Sequence, residues 1–255
     1  GNIQALASFT KVSTQYSQGI PGLKNLSGQL SFAENNLHLD LLAEQGALDF
    51  DQHFVAPIVY ESLNANVDLT FVDFSPDKSE WQLQVSNIDI ISPELTMNAD
   101  LALHAMSGSE TTMSLLASIT KGDASKAGHY FPLTIMSTSL VDYLNSAIVS
   151  GQVEQAQVLV NGPLSHFPFT DNSGVFVVDA ELEQAVFSFE YEWPAITDLA
   201  ANLNFTNNSM LITGRSGNLV GLDVSGVQAA IDDLANERIL TVDTIIKPSS
   251  AALVA

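Results

Sequence analysis

In 255 residues, 29 Asp and Glu side chains stand against 8 Lys and Arg, a formal charge of −21, while 46% of the chain is apolar. That balance argues for ordered structure and against nucleic acid or an anionic membrane surface as a partner, since phosphate would be repelled. The chain contains no cysteine, which excludes disulfides, thiolate metal sites and a cysteine nucleophile.

Along the chain the dominant signal is period two. Asn36 to Leu42 alternates Leu37, Leu39 and Leu41 with Asn36, His38 and Asp40, the pattern of a strand with one apolar and one wet face. Trp81, Leu83 and Val85 alternate with glutamines. Between these runs, Glu34-Asn35-Asn36, Ser75-Pro76-Asp77 and Ser107-Gly108-Ser109 read as turns. A short helix is expected over Asp123 to His129. A longer one follows over residues 138–150, where Leu140, Val141, Leu144, Ala147 and Ile148 share a stripe. Ser137 or Ser139 caps its start and Gly151 suits the position after its end.

Beyond the helix, Gly162-Pro163 and Phe167-Pro168-Phe169 cannot sit in a central strand, so this stretch reads as a crossing loop pinned to the sheet by its phenylalanines. His166 lies on that loop without a spacing-defined partner. Phe176, Val178, Ala180 and Leu182 then alternate with Val177, Asp179 and Glu181, and Phe187, Phe189 and Tyr191 continue opposite Ser188 and Glu190. Asp171-Asn172-Ser173-Gly174 and Thr206-Asn207-Asn208 are further turns. Three stretches, from Leu26 to Phe32, Leu63 to Leu69 and Leu199 to Phe205, share one apolar-small-apolar-apolar spacing, the mark of a repeated hairpin module.

No motif for catalysis or metal binding emerges. His38, His53, His104 and His129 are scattered and lack helical i, i+4 pairing. Asp171 opens something like a calcium loop, but no glutamate closes it. Glu181 and Glu183 lie two apart on the wet side of a strand, so a solvated face explains them better than a glycosidase pair. The chain is read as a non-enzyme with no cofactor.

The stretch from His129 to Phe205 resembles the AsmA-like proteins of Gram-negative bacteria, and within them the YhdP family. The elements that carry the likeness are Tyr130-Phe131-Pro132, the helix with Leu140-Val141 and Tyr143-Leu144, and Gly151 with its strand. Gly162-Pro163-Leu164, Phe167-Pro168-Phe169, a strand opened by Gly174, Trp193-Pro194 and Thr197-Asp198-Leu199 complete them in order. Glu192 departs from the glycine favoured there. The resemblance implies a long periplasmic protein held in the inner membrane by an N-terminal helix, of which this chain is a piece. It also implies a long curved antiparallel sheet whose apolar face carries phospholipid towards the outer membrane.

The expected fold is therefore mainly β: an elongated, curved antiparallel sheet with a taco-like apolar groove and one or two short helices packed on it. The alternative is a closed β-sandwich serving as a structural or protein-binding module of the envelope. A first sheet segment over 1–122, a helical insertion over 123–151 and a second segment over 152–255 form one continuous fragment. Some sixteen strands about 4.8 Å apart would line a trough on the order of 70 Å long. Candidate lipid-binding positions are Leu37, Leu39, Leu41, Leu83, Val85, Phe176, Val178, Phe187 and Phe189. The expected partner is phospholipid, with membrane contact through an anchor outside the fragment.

Overall fold

A computed structural model describes residues 4–17, 20–73, 79–134, 136–189, 192–234 and 239–243. The first eight strands are β1 (Gln4–Val12), β2 (Gly22–Leu23), β3 (Leu26–Ala33), β4 (Asn36–Asp49), β5 (Ile58–Asp73), β6 (Glu80–Ile91), β7 (Leu95–Met106) and β8 (Thr112–Asp123). A 3-10 turn over Ala124–Tyr130 and helix α1 (Thr138–Ala147) intervene. The chain then runs through β9 (Ile148–Pro163), β10 (Val175–Phe187), β11 (Ile196–Thr206), β12 (Ser209–Leu219), β13 (Leu222–Asp223), β14 (Gln228–Ile231) and β15 (Thr241–Asp243).

All fifteen strands belong to one open antiparallel sheet, ordered β1-β3-β4-β5-β6-β7-β8-β9-β10-β11-β12-β14-β15, with β2 beside β4 and β13 beside β12. A sandwich needs two sheets, so that alternative does not describe this fold. The three repeat stretches become β3, β5 and β11, each the first strand of a hairpin. Twelve strand spacings along the path make the sheet about 58 Å long. Of the expected turns, Ser75-Pro76-Asp77 lies outside the described residues, as do Glu190 and Tyr191.

A line of irregularities crosses the sheet. Lys11, Asn87, Gln184 and Asp198 all adopt left-handed φ values of 51–52°, and the ladder register slips beside each. Between β7 and β8 it slips again after Thr96. Gln45, with φ 51°, marks where β4 exchanges β3 for β2 as neighbour. Bulges bend a strand and sharpen its twist. Set in line, they divide the strands into an upper arm, ending at turns such as Glu34-Asn35, and a lower arm, ending at Ser92 to Glu94. On the apolar side this line is floored by small residues. Ala43, Ala65, Ala99, Ala117, Ala156 and Ala201 are 0–8% exposed, as expected where two arms fold towards each other and leave little room.

Helix α1 starts as expected, with Ser137 Oγ accepting from Leu140 N–H at 3.3 Å. It buries Val141, Leu144 and Ala147. It ends earlier than expected, and Gly151 is not its terminator. Gly151 lies within β9 at φ 140°, where a Cβ would stand 2.8 Å from Ala185 Cα. Likewise β10 stops at Phe187. The bulge at Gln184 moves Val186 and Phe187 out of the simple alternation.

Candidate lipid-binding face

Cross-strand pairing shows which side chains share a face, because directly opposed residues point the same way. One row runs Leu30, Leu39, Val67, Val85, Leu101, Leu115, Val160, Phe176 across β3 to β10. A second runs Phe32, Leu37, Leu69, Leu83, Leu103, Met113. A third carries Ile88, Ala99, Ala117, Val158, Val178 and Phe205. Seven of the nine candidate positions fall on one continuous apolar face: Leu37, Leu39, Leu41, Leu83, Val85, Phe176 and Val178. The opposite face carries their alternates, most of them polar, together with the exposed Leu42, Leu116 and Leu159. There His38 lies between Asp68 at 2.8 Å and Asp40 at 3.2 Å, and the Asp68 hydrogen bond holds its pKa above the ordinary histidine value.

The remaining two candidates lie elsewhere. Phe187 and Phe189 lie with ring centres 4.8 Å apart, tilted at 60°, and are 1% and 7% exposed, inside a core built with Leu144 and Ala147 of α1 and Leu182, Ile196 and Leu199 of the sheet. Their neighbours are protein. Sequence reading passed over Val67, Leu69, Leu101, Leu103, Met113 and Leu115, although the alternation that marked Leu37 also runs through β5, β7 and β8.

Coverage of the face is uneven. From β3 to β8, every fully buried apolar side chain among the described residues lies on the floor or lower arm: Leu26, Ala43, Tyr60, Leu63, Ala65, Ile90, Leu95, Ala99 and Ala117. On the upper arms Leu37, Leu39, Val67, Leu69, Phe71, Trp81, Leu83, Leu101, Leu103 and Leu115 are only half-buried. They shield one another within a single layer. At the other end of the sheet, β10 to β14 hold a filled core, in which Val224 and Val227 fold back over Gly217 and Gly214.

The loop around His166 caps the upper end of β9 and β10. Phe169 is wholly buried against Gly162 and Gly174, and Phe167 meets Phe176 with ring centres 4.9 Å apart. His166 does have partners here, Asp171 at 2.5 Å and Glu110 at 3.1 Å. Asp171 also accepts from Ser173 N–H and Oγ–H, closing the turn. These contacts raise the His166 pKa, first through Asp171, and lower that of Asp171, first through Ser173. Among the described residues no group of three or more His, Cys, Asp or Glu is arranged to hold a metal ion. Two shallow depressions, of about 400 and 610 Å³, are lined largely by residues of the polar face, including Gln84 and His104 in one and Glu61 and Gln152 in the other. The first also touches Leu83, Leu103 and Met113 of the second apolar row.

The model of the YhdP protein family matches residues 2–254. The chain belongs to the YhdP family. It is 29% identical over 247 residues to the intermembrane phospholipid transporter YhdP of Escherichia coli (strain K12), an alignment covering 97% of this chain and 19% of that protein. The chain thus spans about a fifth of the length of the curated relative it matches. No solved structure matches it. Among the described residues no helix is long and apolar enough to cross a membrane.

Proposed function

We propose that this chain is a periplasmic segment of an inner-membrane-anchored carrier, whose upper-arm apolar face holds phospholipid acyl chains in transit between inner and outer membrane and so supports the outer-membrane barrier. The observation that carries the reading is the row from Leu30 to Phe176: eight strands contribute one apolar side chain each, and the members on β4 to β8 are half-exposed. A contiguous apolar surface of that extent on a soluble protein marks a site that something else covers. The name of the relative, an intermembrane phospholipid transporter, supports a lipid as that cover.

The mechanism is passive and non-catalytic. Each methylene removed from water contributes about 0.8 kcal/mol, so a diacyl lipid resists leaving for water. Moving from one strand's leucine to the next exchanges one methylene contact for another and is nearly level in energy. The segment needs no cofactor, metal or headgroup chemistry for this. Protein purified without detergent should carry phospholipid, released by solvent extraction and identified by mass spectrometry. A protein that stays lipid-free after incubation with phosphatidylethanolamine vesicles would refute the reading.

A further inference from the structure

The connection between β8 and β9 does not take the short way. Its 3-10 turn meets the β6–β7 turn, where Glu94 carboxylate oxygens lie 2.9 Å from His129 Nδ1 and 3.2 Å from Tyr130 Oη. It then reaches the β4–β5 connection: Leu133 N–H donates to the His53 carbonyl at 2.8 Å, and Thr134 Oγ1 lies 2.7 Å from His53 Nδ1. From there α1 returns, burying Leu144 and Ala147 against β10 and β11, and Ala147 C=O accepts from Ser188 N–H at 2.9 Å. Gly128 faces the amide end of Asn145, so turn and helix lie against each other. The described residues of 124–147 therefore form a strap attached to the lower ends of the strands from β4 to β10.

Among the described residues, the upper rim from β3 to β8 has no such strap. Between Glu34 and Glu110 its described residues are tight polar turns, including the Ser79–Ser107 hydroxyl pair and the exposed Ser107, Gly108 and Ser109. From Leu37 near that rim to Ala43 on the floor are six strand residues, about 20 Å. One leaflet of a bilayer's hydrocarbon is about 15 Å deep, half of the full core. An acyl chain standing against an upper arm would thus cover about three quarters of the way from rim to floor.

We propose that the trough has a single mouth: residues 124–147 seal its lower rim, and phospholipid lies with its tails on the upper arms and its headgroup at the upper rim. This rests on the lipid-carrying reading and adds an orientation to it. The pattern of burial follows from it, with lower arms covered by protein and upper arms left for tails.

The test uses the full-length protein held in nanodiscs and loaded from phosphatidylethanolamine vesicles doped with one of two photoreactive lipids. One carries its diazirine in the headgroup, the other at the tail end. After illumination, labelled peptides are mapped by mass spectrometry. The tail probe should label floor and upper-arm peptides, around Leu39, Ala43, Leu69 and Leu103. The headgroup probe should label the rim at Asn35 and at Ser107 to Glu110 about tenfold more than residues 124–147 or Ser92 to Glu94, a preference worth about 1.4 kcal/mol. Equal or stronger headgroup labelling of the strap or of the lower turns overturns the single mouth while leaving lipid carriage intact. Absence of tail labelling anywhere on the apolar rows refutes both.

Discussion

Leu103 and Ala102 are neighbours on β7 with opposite duties. Leu103 pairs with Leu83 and Met113 on the apolar face, and Ala102 pairs with Gln84 and Ser114 on the polar one. Leu103→Asp and Ala102→Asp therefore add the same charge to the same strand, one on each side. In the lipid-free protein Leu103 is half-buried, so losing its cross-strand contacts costs up to about 1 kcal/mol. The effect on lipid is larger. A tail that withdraws from the new carboxylate gives up about three methylene contacts, or about 2.4 kcal/mol, which is about a fiftyfold loss of affinity at that point. Lipid phosphorus per mole of protein, measured after loading from vesicles over a range of concentrations, reads the difference directly. Leu103→Asp should need about fiftyfold more lipid for half-occupancy, and Ala102→Asp, on the exposed face, should match the parent. Melting curves show whether both remain folded. Equal lipid loading by the two folded variants would refute the assignment of faces, and with it the acyl-chain surface.

Leu144, 3% exposed beneath α1, should lose 2–5 kcal/mol on replacement by alanine, at the order of magnitude usual for buried leucines; a denaturant midpoint indistinguishable from the parent's would show that α1 is not packed as described. Tyr60 is 1% exposed and its hydroxyl donates to the Lys24 carbonyl at 2.8 Å, so Tyr60→Phe should cost about 1 kcal/mol in the same assay. Gly162→Ala places a Cβ at φ 154° against Gly174 Cα and the Phe169 ring; it should loosen the loop over residues 164–174, seen as faster amide exchange there. His38 should titrate above pH 6.5 by NMR, and Asp68→Asn should bring its midpoint down. Because folding raises this pKa, the pairing supports the fold fully below about pH 6.5 and is lost as the pH climbs through the higher folded-state value.

Strand alternation was legible because it answers to a single physical demand, one face dry and one wet, and that demand is met residue by residue. Leu37, Val85 and Phe176 declared themselves for this reason, and pairing in the folded sheet put Leu39, Val85 and Phe176 in one row. The bulges at Asn87 and Gln184 left no such trace. Nothing in their composition separates them from other polar strand residues, and a left-handed residue shifts the alternation by one without announcing it. This is why the run through Phe187 and Phe189 read as more open face, when those rings lie in a core with α1. The partners of His166 were not legible from spacing for a related reason: Glu110 is remote in sequence and is delivered by the β7–β8 turn, and Asp171 reaches back through the loop.

The alanines of the floor carry the last step. Taken singly, Ala43, Ala65, Ala99 and Ala117 are unremarked small residues in apolar strands. Together they lie on β4, β5, β7 and β8, with Ile88 of β6 paired to Ala99 between them, are each 8% exposed or less, and lie near the bulges. A flat sheet has no reason to keep its small apolar residues on one transverse line. A sheet folded along that line does, because larger side chains would collide across the crease while leucines higher on the arms have room. The crease expected of a trough is therefore recorded in residue size, independently of the backbone angles that produce it. Replacing Ala99 by leucine should test this: overpacking at a crease destabilises by 1–3 kcal/mol, whereas a leucine added to an open apolar face would be neutral or stabilising. A thermal midpoint unchanged or raised by Ala99→Leu would mean the arms do not close on the floor at all.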